Sequence, residues 1–151
     1  AARKSVGPMR LFTRFAADLP TALHFQAVLE AIRERVAAAA RGLGRPEQPA
    51  ARPRFAEGAF RAALLQEPGR RGLDAARDMG LCFVASVGAR RWVGRELRTP
   101  RFGAHDLDAG LSSWRRLREA RARLKAGEAE HAASAAWRRL REVYLDIWAE
   151  A

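Results

Sequence analysis

The hexapeptide WRRLRE occurs twice, at Trp114–Glu119 and again at Trp137–Glu142. Around the first copy Leu107, Leu111, Trp114, Leu117, Arg121 and Leu124 step by three and four. Around the second, Ala133, Trp137, Leu140, Tyr144, Ile147 and Trp148 do the same. Residues at that spacing share one side of an α-helix, so each copy predicts an amphipathic helix. Gly127 lies between them and suits a helix stop, which predicts an antiparallel helical hairpin folded there. In that arrangement Trp137 faces Leu117 and Trp114 faces Leu140, so the tryptophans serve packing before they serve recognition.

Alanine supplies much of the apolar content, and no run of Val, Ile and Thr at alternating spacing competes for strand. Closely approaching helices build a core from such residues most readily. The expected fold class is therefore all-α. A first helix is expected from about Pro8 to Ala17, ended by Leu19-Pro20. A second is capped by Thr21, carries Leu23, Ala27, Ile32 and Val36 on one stripe, and stops at Arg41-Gly42. Pro46, Pro49 and Pro53 mark a linker. A third helix, Phe55 to Gln66, is interrupted at Pro68-Gly69, and another is expected from Arg70 to Leu97, before a break over Thr99–Gly103. Two domains are implied, a helical bundle over 1–97 and a basic hairpin extension over 98–151.

The formal charge is +11, carried almost wholly by arginine, with Lys4 and Lys125 the lysines. Arginine forks onto phosphate and carboxylate, so an anionic partner is expected: nucleic acid, an acidic protein or an anionic membrane surface. Nucleotide composition alone also produces an arginine bias. The basic residues before Asp18 (Arg3, Lys4, Arg10 and Arg14) resemble a mitochondrial targeting segment or the start of a chain from which one has been cleaved. Cys82 is the single cysteine, which excludes an internal disulfide and fits a reducing compartment. Its apolar run, Gly80–Gly88, is too short to span a membrane, so no transmembrane segment is expected.

Catalytic signatures are missing. There is no glycine-rich phosphate loop, and His24, His105 and His131 do not fall at metal-ligand spacing. Asp106 and Asp108 beside His105 read as helix-start carboxylates rather than an acid/base group. No catalytic residue, no metal and no cofactor of its own is expected, and the chain does not read as an enzyme. Arg115, Arg116, Arg118, Arg121, Arg123, Arg138, Arg139 and Arg141 can track a phosphate backbone, which makes a basic helical ribosomal or other RNA-binding protein one expectation.

The stretch RLFTRFAADLPTALHFQ, Arg10 to Gln26, leads elsewhere. Leu11-Phe12-Thr13, then Pro20, His24 and Phe25-Gln26, resembles the LYR-motif family of small mitochondrial helical proteins, and within it the accessory subunits of respiratory complex I. Arg33-Glu34-Arg35-Val36, Leu64-Leu65, Gly69-Arg70 and Leu73-Asp74 continue the resemblance over residues 9–87. Phe12 stands where the family has tyrosine. Thr13 stands where it has arginine, and Arg10, three residues back on the same helix face, is the stand-in. The resemblance implies a three-helix bundle that docks the acidic mitochondrial acyl carrier protein on the matrix side of the inner membrane. Arg10, Leu11, Phe12, Thr13, Arg14, Arg33 and Arg35 would contact the carrier. Phe15, Leu23, Val28 and Ile32 would line the acyl chain on its phosphopantetheine arm. A non-catalytic complex I subunit that stabilises its neighbours is the function so implied, with an iron–sulfur or respiratory assembly factor as a variant of it.

Overall fold

The computed structural model describes residues 1–42, 55–90, 94–124 and 130–151 of the chain, with the backbone alone over 130–134. Its elements are β1 (Arg3–Val6), β2 (Met9–Phe12), α1 (Leu19–Gly42), α2 (Glu57–Arg70), β3 (Cys82–Gly88), β4 (Glu96–Arg98), β5 (Phe102–Gly103), a 3₁₀ turn (Ala104–Asp106), α3 (Leu107–Ala122) and α4 (Glu130–Ala149). The fold is thus mixed α/β and not all-α, and the LYR-type three-helix bundle is not formed. Strands run in the order β1-β2-β3-β4, with β5 pairing β3 as well. The linker prolines and Gly127 lie outside the described residues.

The described chain divides into two compact units: residues 1–83 with 103–105, and residues 84–102 with 106–151. In the first, Val6-Gly7-Pro8-Met9 closes an antiparallel hairpin. Gly7 has φ +58°, the first position of a primed hairpin turn, and Pro8 fixes the next φ. A side chain at Gly7 would also meet the Phe55 ring, with a Cβ only 2.7 Å from its Cδ2. The register pairs Arg3 with Phe12, Lys4 with Leu11, Ser5 with Arg10 and Val6 with Met9. Because side chains alternate, Val6, Met9 and Leu11 are buried, while Arg3, Ser5, Arg10 and Phe12 share the opposite, open face.

The expected first helix over Pro8–Ala17 is therefore turn, strand and loop. Thr13 shows why. Its backbone N–H donates to the Ala2 carbonyl, the Ala2 N–H donates to Thr13 Oγ1 (both 3.0 Å), and the hydroxyl donates onward to the Arg14 carbonyl. The β-branched residue extends the strand ladder by one pair, with its hydroxyl satisfied while only 5% exposed.

Helix α1 starts at Leu19, on the expected break and two residues before the expected cap. Asp18 Oδ1 accepts the Thr21 N–H at 2.7 Å, so Asp18 and not Thr21 is the cap, and Pro20 sits in the first turn where its missing N–H costs nothing. That hydrogen bond lowers the Asp18 pKa. The buried stripe is Phe25, Val28, Leu29, Ile32 and Val36, rotated from the expected one. It packs on α2 and β1. Lys4 reaches across to Glu30, whose pKa this contact, with Arg33 beyond it, holds down. Between α1 and α2, the buried Glu67 carboxylate accepts from Arg35 and Arg70, each at 2.9 Å, so the one carboxylate is compensated twice. Phe55, Phe60 and Phe83 form a chain of tilted and edge-on rings with centroids 5.5 and 5.8 Å apart.

The helix expected over Arg70–Leu97 is a turn followed by strands. Asp74 Oδ1 accepts the Ala76 and Arg77 N–H groups, and Asp78 Oδ2 accepts the Asp74 N–H, which with Arg77 lowers the Asp78 pKa. Gly80 then takes φ +54° and β3 begins. Along β3, Phe83, Ala85 and Val87 are buried while Cys82, Val84 and Ser86 are half-buried, the period-2 pattern of a strand. In the second unit β3 pairs antiparallel with β4, Ser86 opposite Arg98 and Gly88 opposite Glu96. Thr99 repeats the Thr13 device: its N–H donates to the Ala85 carbonyl, its Oγ1 accepts the Ala85 N–H, and its hydroxyl donates to the Pro100 carbonyl, each at 3.0 Å.

Candidate functional site: the open flank of the last helix

Helices α3 and α4 pack on each other, burying Leu111, Trp114, Leu117, Leu140, Val143 and Ile147. Asp106 occupies the position before α3 but makes no side-chain cap hydrogen bond. The tryptophans do not share one role. Trp114 is buried, whereas Trp137 is 37% and Trp148 50% exposed. The expectation that both copies of the repeat place tryptophan in the seam holds for the first copy alone. The reason is rotation: Leu140, Val143 and Ile147 take the centre of the buried face of α4, and Trp137 falls about 60° beyond Leu140, the nearest of the three, at 100° per residue.

Between Trp137 and Trp148, that side of α4 carries Tyr144, Trp137, Trp148, Arg141 and Leu145 without a carboxylate, and Arg138 lies at its outer margin. Glu142 and Asp146 lie on the other flank, at the same helical pitch. Over the eleven steps from Trp137 to Trp148 the stripe is about 16 Å long. Its far end is fixed: Trp148 Nε1–H donates to the Arg98 carbonyl at 3.3 Å, and the Tyr144 ring lies 6.2 Å from it at 57°. The indole edge is thereby held while half of the side chain stays open to solvent.

Of the eight arginines in the two WRRLRE helices, most are engaged within the protein. Arg116 pairs with Glu150 at 2.7 Å, which raises its pKa, Arg123 with Glu119 at 3.1 Å and Arg139 with Glu142 at 3.5 Å. A cleft of about 100 Å³ between the helices is lined by Arg116, Glu119, Arg123 and Arg139, the three arginines each held by a carboxylate. Arg118 stacks over Trp114 at 4.7 Å. Arg121 donates to the carbonyls of Gly88 and Leu124, and Arg115 also has a partner. Arg138 and Arg141 remain without a hydrogen bond or ion pair among the described residues. These two lie on the flank that carries the exposed aromatics.

The residues expected to meet a carrier protein are not brought together. Leu11 and Thr13 are buried on one side of the first hairpin, while Arg10 and Phe12 lie on the other, and Arg14 is in the following loop. In a strand, residues three apart point to opposite faces, so Arg10 does not stand in for position 13. Arg33 is paired with Glu30 and Arg35 with Glu67 and Gln66. Of the four residues expected to line an acyl chain, Phe15 is 84% and Leu23 57% exposed, while Val28 and Ile32 are fully buried in the α1 stripe.

Among the described residues no group of His, Cys, Asp and Glu is arranged to hold a metal ion, and no helix is long and apolar enough to cross a membrane. Comparison of the chain with protein-family models, with curated proteins and with solved structures returns no match.

Proposed function

We propose that this chain is a non-catalytic RNA-binding component of a ribonucleoprotein assembly, and that the open flank of α4 is its contact with single-stranded RNA. One observation carries the proposal: Arg141 and, at the margin, Arg138, the two repeat-helix arginines without a partner among the described residues, share with Trp137, Tyr144 and Trp148 a flank that carries no carboxylate between Trp137 and Trp148. Single strands are bound by aromatic faces on which bases stack, set beside cations that follow the phosphates. Tryptophan fixed at its edge and open at its face is ordered before binding, so less conformational entropy is lost on association. The charge of +11 draws the polyanion in.

The complex I reading requires a first helix, and those residues are strand and turn. No observation among the described residues favours it. Acyl carrier protein binding is accordingly the competing outcome of the same experiment.

Titrating an unstructured RNA oligomer while following tryptophan fluorescence tests the proposal. Trp137 and Trp148 are quenched, and Trp137→Ala or Trp148→Ala each weakens binding by roughly five- to 150-fold, the equivalent of one stacked base at about 1–3 kcal/mol. Retention of an acidic, phosphopantetheine-bearing protein by the native chain, with no quenching by RNA at low salt, would overturn the RNA proposal and restore the carrier-protein one.

A further inference from the structure

We propose that the open face of the β1–β2 hairpin is a phosphate-binding site, formed by the guanidinium groups of Arg3 and Arg10 and the hydroxyl of Ser5. It belongs to the first compact unit and does not depend on the role given to α4.

Arg3, Lys4, Ser5 and Arg10 line a cleft of about 420 Å³. Ser5 is paired directly with Arg10 in the register, and Arg3 lies two residues from Ser5 on the same face. Arg3 and Arg10 are thus diagonal neighbours, whose Cβ atoms in such a ladder lie about 7–8 Å apart or a little closer. Neither has a hydrogen bond or ion pair among the described residues. The remaining member of the face is Phe12, so no carboxylate shares it. Lys4 differs: it projects to the α1 side and is neutralised by Glu30. The net positive charge of the cleft therefore comes from the two arginines.

Charge on an edge strand also discourages pairing with other chains, and β1 is an edge strand. That accounts for Arg3 but not for Arg10, which is on the inner strand. Like charges set diagonally on one face repel each other, and a bound oxyanion converts that repulsion into two charge-assisted contacts. A tetrahedral phosphate between two guanidinium forks, with a hydroxyl donor below it, matches the donors present in number and type. The phosphate group could belong to a free phosphorylated compound or to a nucleic-acid backbone. The chemistry is the same, and the test separates the two.

The experiment is isothermal titration of the intact protein with inorganic pyrophosphate at low ionic strength. Saturable binding is expected, weakened about tenfold or more by Arg3→Gln and by Arg10→Gln, since each removes a charge-assisted hydrogen bond. Arg71→Gln, an equal loss of charge at an exposed arginine outside the cleft, is expected to change it less than about twofold. Competition of pyrophosphate by an RNA oligomer identifies a backbone phosphate as the natural occupant; independence from RNA identifies a free phosphorylated compound. Absence of saturable binding, or equal weakening by Arg71→Gln, overturns the site. Either result leaves the tryptophan quenching by RNA at α4 unaffected, so failure of this inference and failure of the α4 proposal are distinguishable. Unchanged thermal unfolding of the variants separates lost binding from lost folding.

Discussion

Thr99 and Thr13 each complete a strand pairing with a side chain. At Thr99 the hydroxyl accepts the Ala85 N–H, a donor buried in the sheet, and passes its own proton to the Pro100 carbonyl. Thr99→Val keeps the shape and the branching but leaves that N–H without an acceptor. A buried unsatisfied donor costs about 1–3 kcal/mol, so the denaturant midpoint falls while the slope stays unchanged. An unchanged midpoint would show that the pairing does not need the hydroxyl. Thr13 stands where the LYR motif has arginine. Its structural role explains the mismatch: an arginine there would place a charge where the side chain is 5% exposed. At this scale the sequence shows that position 13 is discordant, but not why, because the partner of Thr13 is Ala2, eleven residues away.

At the scale of elements, α1, α2, α3 and α4 coincide with regions of three-and-four spacing, and they are legible for that reason. The strands are not. Cys82–Gly88 is apolar at every position but Ser86 and the terminal glycine, and a short continuous apolar run is compatible with a buried strand or a helix segment. The glycines at Gly80 and Gly88, with Val84 and Val87 between them, favour strand, and that signal is outweighed by the long helical pattern around it. The hairpin is hidden similarly. Gly7-Pro8 is a turn signal, yet Pro8 also suits a helix start, and Met9, Leu11 and Thr13 alternate with Arg10, Phe12 and Arg14 over too few residues to insist on period 2. The start of α1 gives a testable consequence. Asp18, Glu30 and Asp78 have lowered pKa values in the folded chain, through the Thr21 N–H, Lys4 and the Asp74 N–H respectively. A group whose folded pKa is depressed binds protons more readily when unfolded, so its contribution is present above the unfolded value and is lost as pH falls. With ordinary values of 3.8 for the aspartates and 4.5 for Glu30, stability is expected to decline as pH drops below about 4.5. The decline is shallower in Asp18→Asn than in the parent chain, measured by thermal unfolding across an acid series. Identical acid profiles would remove Asp18 from this account.

For the whole molecule, the net charge of +11 overstates what is available to a partner. Arg33, Arg35, Arg70, Arg77, Arg116, Arg123 and Arg139 are tied to carboxylates, and Arg14 and Arg121 to backbone carbonyls. Composition cannot make that distinction, since it depends on which carboxylate the fold brings near. It is also why the candidate flank of α4 is not legible in the sequence: both copies of WRRLRE carry the same residues, and only packing decides that one tryptophan is buried and the other open. The salt dependence of RNA binding counts the arginines that are free. Each phosphate neutralised on a single strand contributes about −0.7 to the slope of log K against log salt. Arg138→Gln and Arg141→Gln should each make that slope shallower by about 0.7 and weaken binding uniformly across RNA sequences. Arg139→Gln, which removes an arginine already paired with Glu142 on the opposite flank, should leave the slope where it was. A slope that changes equally in all three variants would mean that the RNA responds to net charge and not to the flank, and would remove the distinction on which the α4 site rests.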